Sequence, residues 1–361
     1  MSRSKQLTII WVFAVSALCA AVCVFMYSAA ANRLESQQAA RRWAGESGNR
    51  MAQISCFFPA GSEITESDVY SFREAIKAKM LELSIEAPET GRLFADAWSA
   101  KAEVFIESER GSAVIPVIGT GGDFFLFHPL RLRNGAYITG EDIMRDRVVA
   151  DEEAAWRFYG ALDVAGFPLT VGGGPFIVAG VAQRESDPYS RKAYSDGASM
   201  FVPYESLGSG TEIGISCYEF VMPNPISGLA FRLAEERFGV TAEIRENSER
   251  FRTGNILSVL TGFSDRVMRA DARAYPYWEN AARLAENKAA LLLIAAVLCS
   301  LFPAVCTVIA LRFILKRSGR RIRAAVIVYM NSREERRLKR YTDKRRDGHG
   351  EHYAEKYNED I

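Results

Sequence analysis

The sequence predicts an α+β domain built from split βαβ units, carrying a β-rich insertion and flanked by two transmembrane α-helices. Three observations predict it. Two uncharged runs, Leu7 to Ala31 and Ala289 to Leu311, each exceed the roughly 20 apolar residues an α-helix needs to cross a bilayer. A strand, a breaker and a helix recur in that order between them. The stretch separating the two copies is dominated by short strands bounded by turns.

The spans set the outline: an N-terminus over 1–6, a helix over 7–31, an outer block over 32–288, a second helix over 289–315 and a tail over 316–361. Arg3 and Lys5 precede the first span, and 13 Lys/Arg against three acidic residues lie between Lys316 and Arg346. By the positive-inside rule both termini are cytoplasmic and the block lies outside, in the cell membrane's outer compartment. A cleavable signal peptide is the rival reading of the first run, since Ala29 to Ala31 supply small residues. Pro303 falls inside the second run, where its missing N–H and its ring predict a kink or interruption.

The net charge of +1 conceals a division. The outer block is acidic, with a net of −8, and the tail is basic. An acidic outer block excludes a nucleic-acid partner; a basic tail fits anionic lipid or a cytoplasmic protein.

Within the block, 32–50 is polar and reads as an exposed helix continuing out of the membrane. Ala52 to Phe58 is a strand stopped by Pro59 and Gly61, and Thr65 with Asp68 forms a capping box. Val69, Phe72, Ile76, Met80 and Leu83 then lie at helical spacing. The second copy runs from Ile213 to Val221, is broken by Pro223 and Pro225, and continues with Leu229, Leu233 and Phe238. Ile-Ser-Cys occurs in both strands, ending at Cys56 and at Cys217. Duplicated strand–helix units of this kind fold as a split βαβ lobe. Equivalent strands at matching register make Cys56 and Cys217 a candidate disulfide in an oxidising compartment.

The insertion holds strands Ala102 to Ile106 and Ala113 to Ile118 around a turn at Glu109 to Gly111, then a short helix over Asp151 to Tyr159. Phe167 to Val171 and Pro175 to Val181 flank Gly172 to Gly174 as a hairpin, and Ser199 to Pro203 reads as an edge strand.

Catalytic chemistry has little to work with. The triple glycine lacks the Lys-Ser/Thr of a phosphate loop. Of three histidines only His128 lies in the outer block, while His349 and His352 sit in the tail. Asp142, Asp146, Asp151, Glu152 and Glu153 have no spacing that singles out an acid/base pair. The reading is a non-enzyme with no catalytic, cofactor or metal residues.

Between Val117 and Leu207 the residues resemble a known family. Thr120-Gly-Gly-Asp-Phe-Phe125, Leu130-Arg-Leu-Arg-Asn-Gly135 and Thr139-Gly-Glu-Asp142 are followed by Arg147-Val-Val149, Trp156-Arg-Phe-Tyr-Gly160 and Phe201-Val-Pro-Tyr204. Together they resemble the MacB-like periplasmic core domain of ABC transporter permeases of the MacB/FtsX type. The resemblance implies a porter-like lobe over about 50–100 and 210–255, a β-rich lobe over about 101–209, and a membrane-proximal helical stalk over about 256–288. It also implies a separate ABC-type ATPase partner, a second permease chain as homo- or heterodimer, and export or mechanical signalling as the function. Members of that family carry four spans; here the last two are missing. A two-span anchored binding or sensing module is the alternative the sequence leaves open.

Overall fold

The computed structural model describes residues 3–46, 48–87, 91–140, 142–194, 197–207, 213–261 and 275–358. The chain divides into two units, Met1–Val22 with Ala295–Ile361, and Cys23–Ile294.

The first unit is helical. Its residues belong to α1 (Arg3–Asn32) and α9 (Tyr277–Asn358), whose apolar windows both have a mean hydropathy of 2.6 and are almost entirely unburied within protein. Such side chains need an apolar solvent around them. The helical backbone runs through Pro303 unbroken, so the expected interruption does not occur. Two hydroxyls serve carbonyls beside it: Ser300 donates to the Val297 oxygen at 2.8 Å and Thr307 to the Pro303 oxygen at 2.7 Å. The carbonyl that loses its helical N–H to Pro303 is that of Cys299, so neither bond replaces the missing one.

The second unit holds one sheet. Its strands are β1 (Met51–Phe57), β2 (Ala95–Ser108), β3 (Gly111–Gly122), β4 (Arg131–Gly135), β5 (Arg147–Asp151), β6 (Pro168–Val171), β7 (Gly174–Gln183), β8 (Met200–Pro203), β9 (Cys217–Pro223) and β10 (Glu243–Glu246). The order is β10-β1-β9-β2-β3-β8-β5-β7-β4, with β6 paired to both β2 and β7.

The first four strands are antiparallel neighbours. The chain passes from β1 to β2 through α3 (Glu66–Glu82), and from β9 to β10 through α7 (Leu229–Phe238). Each crossover skips the strand the other copy supplies, so the duplicated units interleave as two split βαβ motifs. Val69, Phe72, Ile76 and Met80 of α3 are buried against the sheet. The Phe72 ring meets Tyr218, Phe220 and Phe238 edge-on at 5.9, 5.2 and 5.0 Å, geometry that suits aromatic quadrupoles.

The β2/β3 hairpin runs beyond this lobe and opens the second. There β3, β8, β5, β7, β6 and β2 pair in sequence back to the start and close a six-stranded barrel. Ile106, Val117, Val148, Val178 and Met200 fill it, and Phe158 of α5 (Glu152–Tyr159) packs onto them. Asp151 caps α5 by accepting from the Ala154 N–H at 2.7 Å. Gly160 ends it at φ +67°, a conformation glycine adopts without strain. Closure makes β8 an interior strand, bonded to β3 and β5, where its sequence reads as an edge.

Residues 32–50 differ from the exposed helix their polarity predicts. α1 ends at Asn32, and the chain turns through a 3-10 turn, Glu35–Gln37, into α2 (Ala39–Ala44). Leu34, Gln37, Ala39 and Ala40 are buried. The Gln53 side chain binds the turn at both ends, accepting from Ala39 N–H at 2.9 Å and donating to the Ser36 oxygen at 2.7 Å. Of the stalk expected over 256–288, residues 262–274 lie outside the described residues, as do 210–212 of the porter-like lobe and Glu141 of the Thr139 to Asp142 segment.

The candidate disulfide is also corrected. Cys56 pairs with Tyr218, and Cys217 with Phe57. Side chains alternate faces along a strand, so an offset of one residue sends the two sulfurs to opposite sides of the sheet. Cys56 lies in the core beneath the helices, Cys217 in the core on the other face, and both are free. Burial pushes both thiols well above their ordinary pKa. Mass mapping without reductant should recover two separate thiols, and reductant should leave the melting temperature unchanged; a lowered one would contradict the register.

Candidate functional site

The face of the split βαβ sheet turned away from α3 and α7 carries polar residues at strand positions where a buried face is normally apolar. Ser55 donates to Glu219 Oε1 at 2.6 Å, and Asn247 Nδ2 donates to Ser55 Oγ at 2.6 Å. Glu219 Oε2 lies 2.5 Å from His128 Nε2. The His128 ring sits 4.1 Å from Trp278 and 4.6 Å from Phe124. Serine, histidine and glutamate here do not form a hydrolytic triad: the carboxylate stands between the other two. All three are buried, at 1%, 1% and 2% exposure, so no substrate reaches the hydroxyl.

The network continues into the base of α9. Arg250, 5% exposed, grips Glu279 with both terminal nitrogens at 2.6 and 2.8 Å, and its Nε lies 2.9 Å from Glu286. Its Nη1 also reaches Gln37 and Asn247, each at 3.3 Å. Arg283 donates to Glu279 and to Glu243 at 2.7 Å each, and its guanidinium lies 3.9 Å over the Tyr275 ring. Arg245 meets Glu243 at 2.6 Å. Among the described residues, Arg250, Arg283 and Arg245 thus face Glu279, Glu286 and Glu243, with Arg245 at the exposed edge of the cluster.

Burial lowers the pKa of Arg250, but Glu279 and Glu286 outweigh it and raise the group above its ordinary value. Burial likewise raises Glu279, yet Arg250 and Arg283 hold it below the usual carboxylate range. Glu243 follows the same balance: burial pushes up, while the Tyr275 hydroxyl, Arg245 and Arg283 bring it down to about 2.

Beside the cluster, small residues bring helices together. Ala281, Ala282 and Ala285 of α9 pack with Ala30 at the end of α1, Leu34 and Tyr189. Ala289 and Ala290 pack with Ile256 and Val259 of α8 (Thr253–Thr261). Tyr27 of α1 donates to the Phe251 oxygen at 2.5 Å. The outer ends of both apolar helices are therefore held at one place in the second unit.

A cavity of about 140 Å³ lies against the first turn of α9, lined among others by Lys101, Asp151, Arg184, Tyr194, Phe201 and Tyr277. Arg184 pairs with Asp151 at 2.7 Å, and the Tyr194 and Tyr277 rings stack at 4.2 Å.

Of the residues singled out in sequence, His128 and Asp151 enter buried networks, Asp142 caps its own loop through the Thr139 N–H at 2.9 Å, and Pro303 stands apart in α9. Glu152 and Glu153 open α5 as first-turn acids. The side chains of His349 and His352 lie outside the described residues. Sequence reasoning missed Arg250, Glu243 and Glu279 to Glu286. The signal available was Glu279, Arg283 and Glu286 at helical spacing beside an alanine stripe.

The family model described as the MacB-like periplasmic core domain matches residues 7–236. No curated protein matches the chain. Among solved structures, the periplasmic region of MacB from Actinobacillus actinomycetemcomitans is 14% identical, covering 60% of this chain and 94% of its own, with a TM-score of 0.41. The extracellular domain of the noncanonic ABC-type transporter YknZ from Gram-positive bacteria is 16% identical, covering 54% and 98%, with a TM-score of 0.36.

Two outcomes follow from the cluster. Arg250→Met should cost about 3–5 kcal/mol in a urea melt, because the buried Glu279 and Glu286 both lose the guanidinium that they share; the triple change to Met, with Glu279→Leu and Glu286→Leu, should cost less. Glu243 has a depressed pKa, so its contribution is present above the ordinary carboxylate value of 4.5 and is lost as pH falls to about 2. Glu243→Gln should flatten the stability curve in that window and leave its slope at higher pH unchanged.

Proposed function

The chain belongs to the MacB-like periplasmic core domain family, and on that premise we propose that it couples a separate ABC-type ATPase to events outside the membrane. It is a membrane protein with an extracytoplasmic core domain of the ABC permease type. Both termini, in this reading, are cytoplasmic, and the ATPase acts on the cytoplasmic side. The work done outside is export of a substrate or mechanical signalling, with a second permease chain completing the assembly.

One observation carries the reading. The base of α9 is fastened to the core by a cluster of buried ion pairs, and the same helix contains the second apolar span. A two-pronged guanidinium–carboxylate pair fixes both distance and angle. Displacement of the helix axis is then displacement of the sheet.

A second reading, a two-span binding or sensing module, is favoured by the cavity at the first turn of α9, where an occupant would touch the coupling helix directly. Purification in mild detergent separates the two. The coupling reading expects an ABC-type ATPase to co-purify with the intact chain and to be lost when α9 is truncated before the tail. Recovery of a folded, protease-resistant core domain without any ATPase would favour the sensing module.

A further inference from the structure

The part of α9 after the second span has a composition suited neither to water nor to a bilayer interior. Lys316, Arg317, Arg320, Arg321 and Arg323 open it, and Arg333 and Arg336 close it. Between them Ala324 to Met330 carries no charge. Ile322, Val326, Ile327, Val328, Tyr329 and Met330 are 50–68% exposed. Four of them, Ile322, Val326, Tyr329 and Met330, fall within about 100° of the helix circumference and form a patch that a solvated helix does not leave open. The uncharged run measures about 10 Å at 1.5 Å per residue, far short of the roughly 30 Å of a hydrocarbon core. It is covered along its side, not by crossing.

We propose that residues 316–336 form an interfacial helix lying on the anionic leaflet of the membrane. Ile322, Val326, Tyr329 and Met330 stand at i, i+4, i+7 and i+8 and make the face that enters the acyl boundary. The arginines on both flanks reach headgroup phosphates while their methylene stems cover apolar surface. Tyr329 places an amphipathic ring at the boundary.

Charge decides for lipid over a soluble protein surface: seven Lys/Arg bracket the patch against only Glu334 and Glu335. Position decides with it, since Ile322 follows the end of the apolar span by seven residues and is tethered to the membrane plane. The turn needed to lie down has a site. Ser318 and Gly319 fall between span and patch, helices bend at such pairs, and Gly319 has no neighbouring atom within 4 Å of a built Cβ. This inference rests on the span and the tail alone, not on coupling by the outer domain.

The test uses the full-length protein in vesicles of phosphatidylcholine, with and without phosphatidylglycerol, oriented so that trypsin reaches the tail. Cleavage at Arg320, Arg321 and Arg323 is followed by mass spectrometry, with Arg345 and Arg346 as internal reference. Anionic vesicles should slow cleavage relative to the reference by at least about tenfold, high salt should restore it, and Val326→Asn with Tyr329→Asn should restore it at low salt. Equal rates in both vesicles would overturn the proposal. So would equal protection in both that salt does not reverse, which would instead assign the patch to a second copy or another protein.

Discussion

Arg250 is a cation almost wholly removed from water, and its sequence neighbour Glu249 pairs with Arg50 and Arg252 instead. An unpaired buried charge costs several kcal/mol, so the fold has to deliver carboxylates to it. Glu279 and Glu286 come from α9, and that requirement fixes where α9 lies on the sheet. Glu243 at the end of the lobe and Arg283 one turn along extend the same constraint, and Gln37 ties in the segment after α1. Elements from three distant stretches of chain are held by one balance of charge.

The sheet beneath allows this because alternation gives it two different faces. On one, Ile54, Cys56, Tyr218 and Phe220 meet α3 and α7 in an apolar core. On the other, Ser55 and Glu219 begin a polar path through Asn247 to Arg250. Buried polar groups hold position only when every partner is present, which gives the helix base a defined seat. The alanine seam then lets the ends of α1 and α9 approach closely without large side chains between them. Sheet, helix base and span ends are joined by one continuous set of contacts in the second unit.

The split βαβ units were legible because strand, breaker and helix recur with the same periodicity, and that periodicity reflects what each element buries. The hairpin around Gly172 and the cap at Thr65 were legible for similar local reasons. The candidate site was not. Arg250 and the glutamates of α9 look like ordinary solvated charges, and only their convergence across about 30 residues of intervening chain makes them a cluster. The disulfide reading failed on a one-residue offset, which triplet identity does not encode. The interior position of β8 came from barrel closure, a pairing decided by strands far apart in sequence.

The sequence by itself determined the two apolar helices, the asymmetry of charge about them, the duplicated strand–helix units and the β-rich insertion. Each is a property of composition or short-range period, set by which face of an element must leave water. Only the tertiary structure decided the interleaving of the two units, the closing of the barrel, the folding of 32–50 onto the sheet and the pairing of Arg250. Those depend on long-range register and on charges meeting in space, and such energies are defined only once the chain has brought the partners together.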